Sequence, residues 1–384
     1  MTGIIIGSLI FLLIYCALML LYAIGWKKCR DFILPNDFQP KTKISILIPA
    51  RDEAENIEKC LRSVLDNSYP EMLREIIVID DFSSDNTAAI ATDLLKGHNG
   101  KVLQLKGYLS PQERLNAYKK KALSIAIDRA QGDLIVTTDA DCICPENWLR
   151  HIAGLYEQSK AKFIAAPVSF IPAGEQKSWL YYFQSLDFMT LQGITAAGAG
   201  LKMGSMCNGA NLAFEKAAFH LVGGYQGIDQ IASGDDMLLM YKIKKQFPGS
   251  IHYLKTKEAI VATPCQPTLD SFFNQRIRWA SKSDKYDDKL LTLILLGVYL
   301  FNVSLLCLFV LILFHPEAWW YLLGMLLIKT IVEIGFLWPV AKFYHKGAEL
   351  WRFPPLQPFH ILYVLSAGFL GKFGSYQWKG RKVK

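Results

Sequence analysis

Residues 132–144, with the sequence GDLIVTTDADCIC, are the stretch on which the prediction of the fold rests. The run at residues 134–136 is short, apolar and β-branched, which is typical of a buried strand. Asp139 and Asp141 come where that strand ends, and ligands of open α/β sheets bind outside the carboxyl ends of the strands. Two carboxylates on one side of an extended chain can hold one hard divalent cation. Taken alone, this D-x-D triplet fits a solvated acidic turn equally well.

Short apolar runs alternate with amphipathic segments on both sides of this stretch. Strands are predicted at residues 44–49, 75–80, 101–105, 134–138 and 163–170, and helices at residues 53–66, 84–95, 114–129, 146–158 and 236–246. Strands separated by helices of this length predict an α/β fold with a mostly parallel, Rossmann-like sheet. The aromatic residues 176–192 fit either an interfacial helix or a helix packed into the domain, and the Gly- and Ala-rich residues 193–205 predict a loop.

Three apolar stretches have about the ~20 residues that a bilayer span requires and are predicted to be transmembrane helices. They cover residues 3–26, 290–314 and 318–340. Lys329 and Glu333, in the third stretch, lie four positions apart on one helical face. Because charge at that depth is costly, we expect them to pair or to face protein. Residues 354–374 are apolar but interrupted, which predicts a re-entrant or interfacial segment.

The charge pattern predicts the cellular location. Lys27, Lys28 and Arg30 directly follow the first apolar stretch, so the positive-inside rule places the chain after it in the cytoplasm. The 384 residues are 52% hydrophobic and 20% charged, as expected of a soluble domain joined to spans of the plasma (inner) membrane. A net charge of +8 suits an anionic membrane surface or anionic substrate, without a concentrated nucleic-acid patch. Eight scattered Cys without zinc spacing indicate reduced thiols.

Further polar segments follow predicted strands or precede the second apolar stretch. In VIDDFSSDNT, Asp81 ends a strand, where a carboxylate can accept hydrogen bonds from a base or a sugar. Asp235 and Asp236 open a helix in SGDDMLLMYKI, where a carboxylate can take a proton from a hydroxyl. Arg278, in QRIRW, suits planar recognition of phosphate oxygens. Together these features predict chemistry on a nucleoside diphosphate.

Six segments, in order, resemble the family 2 inverting glycosyltransferases of the GT-A fold. They are SILIPARDEAENI, VIDDFSSDNT, KKKALSIAIDRAQGDLIVTTDAD, NGANLAF, SGDDMLLMYKI and QRIRW, the last of which fits the Q-x-x-R-W pattern of that family. The resemblance covers residues 43–282, which we predict to be the catalytic domain. The flanking spans are similar to those of membrane-bound members such as ceramide glucosyltransferase and bacterial polysaccharide synthases.

The resemblance implies roles for the matched residues. Asp81 would contact the uracil, Asp139 the ribose or the metal, and Asp141 would bind Mg²⁺ or Mn²⁺. Asp236 would be the catalytic base, and Asp235, where the family has Glu, can share that role. The other positions implied to line the nucleotide, diphosphate or acceptor are Glu53, Lys119, Gln275, Arg278 and Trp279.

The sequence thus predicts a membrane-anchored, metal-dependent hexosyltransferase. It would move a sugar with inversion from a UDP-sugar to the hydroxyl of a lipid-linked or polysaccharide acceptor. There are three alternatives: a nucleotidyltransferase on the same fold, which would release inorganic diphosphate instead of UDP, an inactive membrane scaffold, and a component of a polymer-export channel, which the presence of only two clear C-terminal spans disfavours. Single residues also have simpler interpretations: Trp279 fits an interface anchor, and Arg276 fits a solvated or lipid-binding side chain. The sugar, the acceptor and processivity are left open.

Overall fold

The computed structural model describes residues 1–109, 116–203, 206–231, 233–282, 288–374, 376–378 and 381–383, the last two segments by their backbone. The chain divides into two compact units. We call Cys29–Ile171 with Lys202–Pro264 the sheet unit, and Met1–Lys28 with Pro172–Leu201 and Cys265–Lys384 the helical unit.

The strands of the sheet unit carry the predicted apolar runs. They are β1 (Ile44–Ala50), β2 (Arg74–Asp80), β3 (Gly100–Gln104), β4 (Leu134–Thr137), β5 (Phe163–Ala165), β6 (Val168–Ile171), β7 (Leu212–Glu215), β8 (Ile251–Tyr253) and β9 (Val261–Pro264). Seven of them form a sheet in the order β3-β2-β1-β4-β7-β5-β8, and β6 pairs with β9. Strands β3, β2, β1 and β4 are parallel, whereas β7 runs antiparallel to β4 and β5. The central sheet is therefore mostly parallel, as predicted.

The helices follow the predicted apolar periodicity. In chain order the described helices are α1 (Thr2–Lys28), α2 (Ile57–Leu65), α3 (Thr87–Leu94), α4 (Tyr118–Arg129), α5 (Trp148–Ser159), α6 (Trp179–Gly200), α7 (Lys216–Leu221), α8 (Met237–Gln246), α9 (Leu269–Ala280), α10 (Lys289–Ile312), α11 (Ala318–Phe343) and α12 (Gln357–Phe373). In α2, Ile57, Leu61 and Val64 recur every three or four positions and are buried, whereas Glu58 and Arg62 form an exposed ion pair. All seven residues of β2 are buried, as in a parallel sheet covered on both faces.

Two predicted elements differ from the structure. The strand predicted at residues 163–170 is split into β5 and β6, because Pro167 between them has no N–H to donate to a ladder. The loop predicted at residues 193–205 is wrong as far as Gly200, where α6 ends. Residues 204–205 of that loop lie outside the described part of the chain. The same is true of residues 114–115, the first two of the helix predicted at residues 114–129.

Small residues explain why α6 continues where a loop was predicted. A Cβ added to Gly25 of α1 would lie 2.5 Å from the carbonyl oxygen of Ala197, and one added to Gly193 would lie 2.9 Å from a methyl carbon of Val340 in α11. Glycine and alanine at these positions let the three helices approach closely. Packing within the helical unit therefore overrides the local preference for a loop.

Three helices of the described chain are long and apolar enough to cross a membrane, namely α1, α10 and α11. The interrupted stretch at residues 354–374 forms α12 and is not among these three. A short antiparallel pair, β10 (Tyr376–Trp378) with β11 (Arg381–Val383), follows it. The predicted catalytic domain, residues 43–282, stays a prediction.

Lys329 and Glu333 pair inside the helical unit, which confirms the expectation from their spacing. Lys329 Nζ donates to Glu333 Oε1 and to Gln357 Oε1, each at 2.6 Å. The amide of Gln357 donates to the second oxygen of Glu333 at 2.6 Å, and the hydroxyl of Tyr15 donates to Glu333 as well. This network ties α1, α11 and α12 together through buried polar contacts.

Candidate active site

The carboxyl ends of three neighbouring parallel strands carry the predicted donor-side acids. Glu53 follows β1, Asp81 follows β2, and Asp139 and Asp141 follow β4. Because β1 is parallel to both β2 and β4, these ends meet at one edge of the sheet. The structure thus brings them to the edge where α/β folds bind ligands.

Lys119 joins the donor-side acids to the acids that precede α8. Its Nζ lies 2.9 Å from Asp139 Oδ1 and 3.3 Å from Asp235 Oδ2. Burial alone would lower the pKa of Lys119, but the charges of Asp139 and Asp235 outweigh it, and the pKa is raised. The ammonium therefore stays charged at neutral pH and neutralises carboxylates from two separate segments.

Asp236 is held by two backbone amides. Its Oδ1 accepts from Met237 N at 2.7 Å as the N-cap of α8, and its Oδ2 accepts from Gly209 N at 3.1 Å. The positive end of the helix dipole stabilises a carboxylate at this position. A Cβ added to Gly209 would lie 3.6 Å from both Asp235 Oδ2 and Lys119 Nζ, so the NGANLAF segment packs directly against the cluster.

A small cavity of about 10 Å³ lies within this cluster, room for about one water molecule. Its lining includes Lys119, Tyr225, Asp235 and Asp236. Burial and the charges of Asp235 and Asp236 raise the pKa of Tyr225 well above its usual value, so the phenol is neutral and able to donate. Sequence reasoning missed Tyr225 because it follows Gly223-Gly224, which indicates only a turn.

The loops after β1 and β2 are hydrogen-bonded to each other. Ser84 donates through its N–H and its hydroxyl to Asp52 Oδ1, at 2.7 and 3.0 Å, and the Ser84 backbone amide is the main reason why the pKa of Asp52 is lowered. Arg51 Nη1 donates to the carbonyl oxygen of Asp81 at 2.9 Å. These contacts fix the loop that carries Glu53 beside the end of β2, where Asp81 is buried.

The carboxylates after β4 fit a metal shared with a substrate. Among the described residues, no group of three or more His, Cys, Asp and Glu side chains is arranged to hold a metal ion. Mg²⁺ is usually bound through one or two carboxylates together with substrate phosphates and water. Asp139 and Asp141 therefore suit a cation that takes its remaining ligands from a diphosphate.

Gln275, Arg278 and Trp279 lie on α9, in the helical unit. Trp279 packs against Phe188 of α6, with the ring centroids 5.9 Å apart. The guanidinium of Arg276 lies 4.2 Å from the centroid of the Trp279 ring. The environment of Trp279 is thus set by residues of α6 and α9.

The interpretation of Arg276 as a solvated or lipid-binding side chain is wrong. The side chain is 1% exposed, and its Nη2 lies 2.8 Å from Asp187 Oδ2. Sequence reasoning also missed Asp187. The sequence does carry a signal for the contact between Arg276 and Trp279, because residues three positions apart lie on one helical face.

Two family descriptions match the chain. Glycosyl transferase family 2 matches residues 45–213, and Glycosyl transferase family group 2 matches residues 134–334, which is more than half of the chain.

Two curated relatives are a polysaccharide synthase and a glycolipid synthase. The chain is 27% identical over 252 residues to the poly-beta-1,6-N-acetyl-D-glucosamine synthase of Staphylococcus epidermidis, covering 65% of this chain and 57% of that protein. It is 27% identical over 261 residues to the beta-monoglucosyldiacylglycerol synthase of Trichormus variabilis, covering 65% and 52%. The chain thus spans little more than half the length of these curated relatives.

One solved structure covers almost the whole chain. A mannosyltransferase from Pyrobaculum calidifontis, in complex with GDP-Man and Mn²⁺, matches with a TM-score of 0.59 and 16% identity, over 96% of this chain and 98% of that one. At this identity the likeness concerns the fold. The mostly parallel α/β sheet agrees with the GT-A fold expected from the sequence.

Proposed function

Because the chain belongs to glycosyl transferase family group 2, we propose that it is a membrane-anchored, inverting glycosyltransferase. It transfers a sugar from a UDP-sugar to a hydroxyl of a lipid or polysaccharide acceptor. The observation that carries this proposal is the Lys119 bridge, which links Asp139 of the D-x-D segment to Asp235, the neighbour of Asp236. Donor-side and acceptor-side carboxylates are thereby held in one cluster. The two relatives named as a polysaccharide synthase and a glycolipid synthase support the acceptor class.

The donor half of the site consists of residues at the strand ends. Asp81 accepts hydrogen bonds from the uracil, Glu53 lies in the adjoining loop, and Asp139 orients the ribose. Lys119 faces the diphosphate with a charge that persists at neutral pH. A divalent cation held by Asp141, with Asp139 beside it, would supply charge neutralisation as the diphosphate leaves.

The acceptor half depends on Asp236. Its carboxylate takes the proton of the acceptor hydroxyl while that oxygen attacks the anomeric carbon on the face opposite to the diphosphate. The new carbon–oxygen bond forms as the bond to the diphosphate oxygen breaks, so the configuration inverts and UDP leaves. Asp235 contacts Lys119 and directly precedes this base in the chain. Gln275, Arg278 and Trp279 are proposed to bind diphosphate and acceptor.

We propose that α1, α10 and α11 anchor the protein in the plasma (inner) membrane. Each is long and apolar enough to cross it. Lys27 and Lys28 at the end of α1, with Arg30 just after it, favour a cytoplasmic position for the chain that follows. This orientation would give the sheet unit access to cytosolic UDP-sugars.

The test is product release from a panel of UDP-sugars, with GDP-mannose for comparison and a native lipid extract as acceptor. We expect UDP release with one or a few donors, lost in Asp236→Asn while UDP binding is kept. Release of inorganic diphosphate would instead favour a nucleotidyltransferase. A flat response to all donors would overturn the donor class, and wild-type turnover of Asp236→Asn with an inactive Asp235→Asn would move the base to Asp235.

A further inference from the structure

Lys120, next to Lys119 on α4, makes contacts of another kind. Its Nζ donates to three backbone carbonyl oxygens, those of Ile228 at 2.8 Å, Ile231 at 2.6 Å and Ser233 at 3.0 Å. The residue is only 1% exposed. Three carbonyl acceptors match the three N–H donors of an ammonium group.

The carbonyls belong to the segment that leads into Asp235 and Asp236. We call residues 225–231 with 233–236 the base segment. It lies between α7 and α8 and has irregular backbone, with Gly227 and Gly234 at positive φ values of 81° and 78°. Glycine adopts this left-handed conformation without the steric cost that a Cβ adds. Such a backbone does not form a regular ladder of hydrogen bonds, so side-chain donors can satisfy carbonyls that the ladder leaves over.

Burying the charged side chain of Lys120 is energetically unfavourable unless its hydrogen bonds compensate. Moving an ammonium out of water carries a large desolvation cost even after relaxation. A methionine would fill a similar volume without that cost, so the charge at Lys120 suits a role in which its hydrogen bonds are required. Those hydrogen bonds hold the base segment at three points before it reaches Asp235.

One rigid helix thus contacts the acidic cluster in two ways. Through Lys119, α4 touches the carboxylates of Asp139 and Asp235, and through Lys120 it holds the backbone that precedes Asp235 and Asp236. The position of Asp236 relative to the D-x-D segment therefore depends on both lysines.

We propose that Lys120 is a positioning residue for transfer: it fixes the base segment so that Asp236 meets the acceptor hydroxyl while the donor site stays unchanged. This inference rests on the proposed function, in which Asp236 is the base. It adds a residue whose effect passes through the backbone and not through contact with substrate.

The chain offers a matched control in Lys242 of α8. Its Nζ donates to the carbonyl oxygens of Gly224 at 2.6 Å and Gln226 at 2.8 Å, at the start of the same connection. Lys242 thus also bonds backbone carbonyls, but at a point farther from Asp236 along the chain. Comparing Lys120→Met with Lys242→Met separates positioning of the base from general stabilisation of the connection.

The experiment measures transfer and backbone protection together, on the full chain in detergent. Because misplacing a reacting group by about 1 Å can cost ~100-fold, we expect kcat of Lys120→Met to fall by about that factor. The donor KM and the affinity for UDP should stay within about twofold, since the donor-side residues are untouched. Hydrogen–deuterium exchange should increase in the base segment. For Lys242→Met we expect kcat within about threefold of wild type.

Three results would overturn the inference: a folded Lys120→Met protein with kcat near wild type, an equal loss in Lys242→Met, or unchanged exchange in the base segment. If Lys120→Met does not fold, Lys120→Gln, which keeps amide donors without the charge, is judged by the same criteria. Asp236→Asn is measured alongside. Wild-type turnover of that variant would refute the proposed function itself, whereas an inactive Asp236→Asn beside an active Lys120→Met would refute only the role of Lys120.

Discussion

Each unit of this protein contains a cluster in which a lysine pairs with a carboxylate, but the two clusters differ in their exposure to solvent. In the helical unit, the side chains of Lys329 and Glu333 are 1% and 7% exposed. In the sheet unit, the side chains of Lys119, Asp139 and Asp235 are 22%, 38% and 15% exposed. We call the first, buried cluster closed and the second, partly exposed cluster open.

The partners of each cluster show what this difference means. Glu333 accepts from Tyr15, Lys329 and Gln357, so neighbouring helices satisfy its two oxygens. Asp139 and Asp235 share one ammonium beside a cavity. A closed network stabilises a fold, whereas an open one keeps charge available for a ligand. Substitutions in the first should therefore lower stability, and substitutions in the second should lower activity.

The largest effect is expected in the open cluster. Asp141→Ala should reduce metal-dependent sugar transfer by at least about a thousandfold, because a catalytic cation contributes several kcal/mol of charge stabilisation. The thermal midpoint should change little, since Asp141 is only partly buried. Turnover with added Mn²⁺ and thermal unfolding are measured on one preparation. Glu58→Ala, which removes an exposed ion pair in α2, is the control; full activity of Asp141→Ala would refute its assignment as the metal ligand.

The closed cluster should respond in the opposite way. Glu333→Gln leaves Lys329 buried without its carboxylate, which should cost about 3 kcal/mol of unfolding free energy. Thermal unfolding in detergent measures this loss, and turnover per folded molecule should stay near wild type. The double variant Lys329→Met/Glu333→Leu should recover much of the stability, because neither charge is left alone. A Glu333→Gln protein that unfolds like wild type would refute the stabilising role assigned to the closed cluster.

How well an element could be predicted from the sequence depends on whether local pattern or tertiary packing decides it. Strands β1, β2 and β4 were predicted to within about one residue, because β-branched runs with marked ends encode them locally. The continuation of α6 through Gly193 was not, since its cause is the packing of that helix against α1 and α11. Local patterns predict elements well only where tertiary contacts do not decide them.

The candidate site divides along the same line. The acids at the ends of β2 and β4 were predictable from their position in the chain. The contact between Lys119 and Asp235 and the burial of Arg276 against Asp187 join distant segments, and no spacing in the sequence encodes them. The three carbonyls bound by Lys120 are less predictable still, because a backbone acceptor has no residue type.

Lys119→Met tests the open cluster by removing the ammonium that Asp139 and Asp235 share. Without the ammonium, Asp139 and Asp235 lose the positive charge that both contact, and the diphosphate of the proposed donor would meet two uncompensated negative charges. The donor KM should increase about tenfold, the scale of one lost charged hydrogen bond. Lys119→Arg, which keeps a positive charge, should keep the donor KM near wild type; an unchanged donor KM in Lys119→Met would argue against a role for this charge in donor binding.

The smallest effect concerns another buried lysine of the helical unit, beyond the end of α11. Lys346 Nζ donates to the hydroxyl of Ser185 at 2.7 Å, and burial lowers its pKa to about 8. The unfolded chain, with the usual pKa near 10.4, binds this proton more tightly between about pH 8 and 10, so stability should rise with pH in that window. From pH 7.5 to 9.5 the gain should be roughly 1–2 kcal/mol relative to Lys346→Met, measured by chemical unfolding in detergent. Ser185→Ala keeps the ammonium and should therefore retain the rise in stability with pH. If Lys346→Met shows the same rise, the rise comes from the titration of another group.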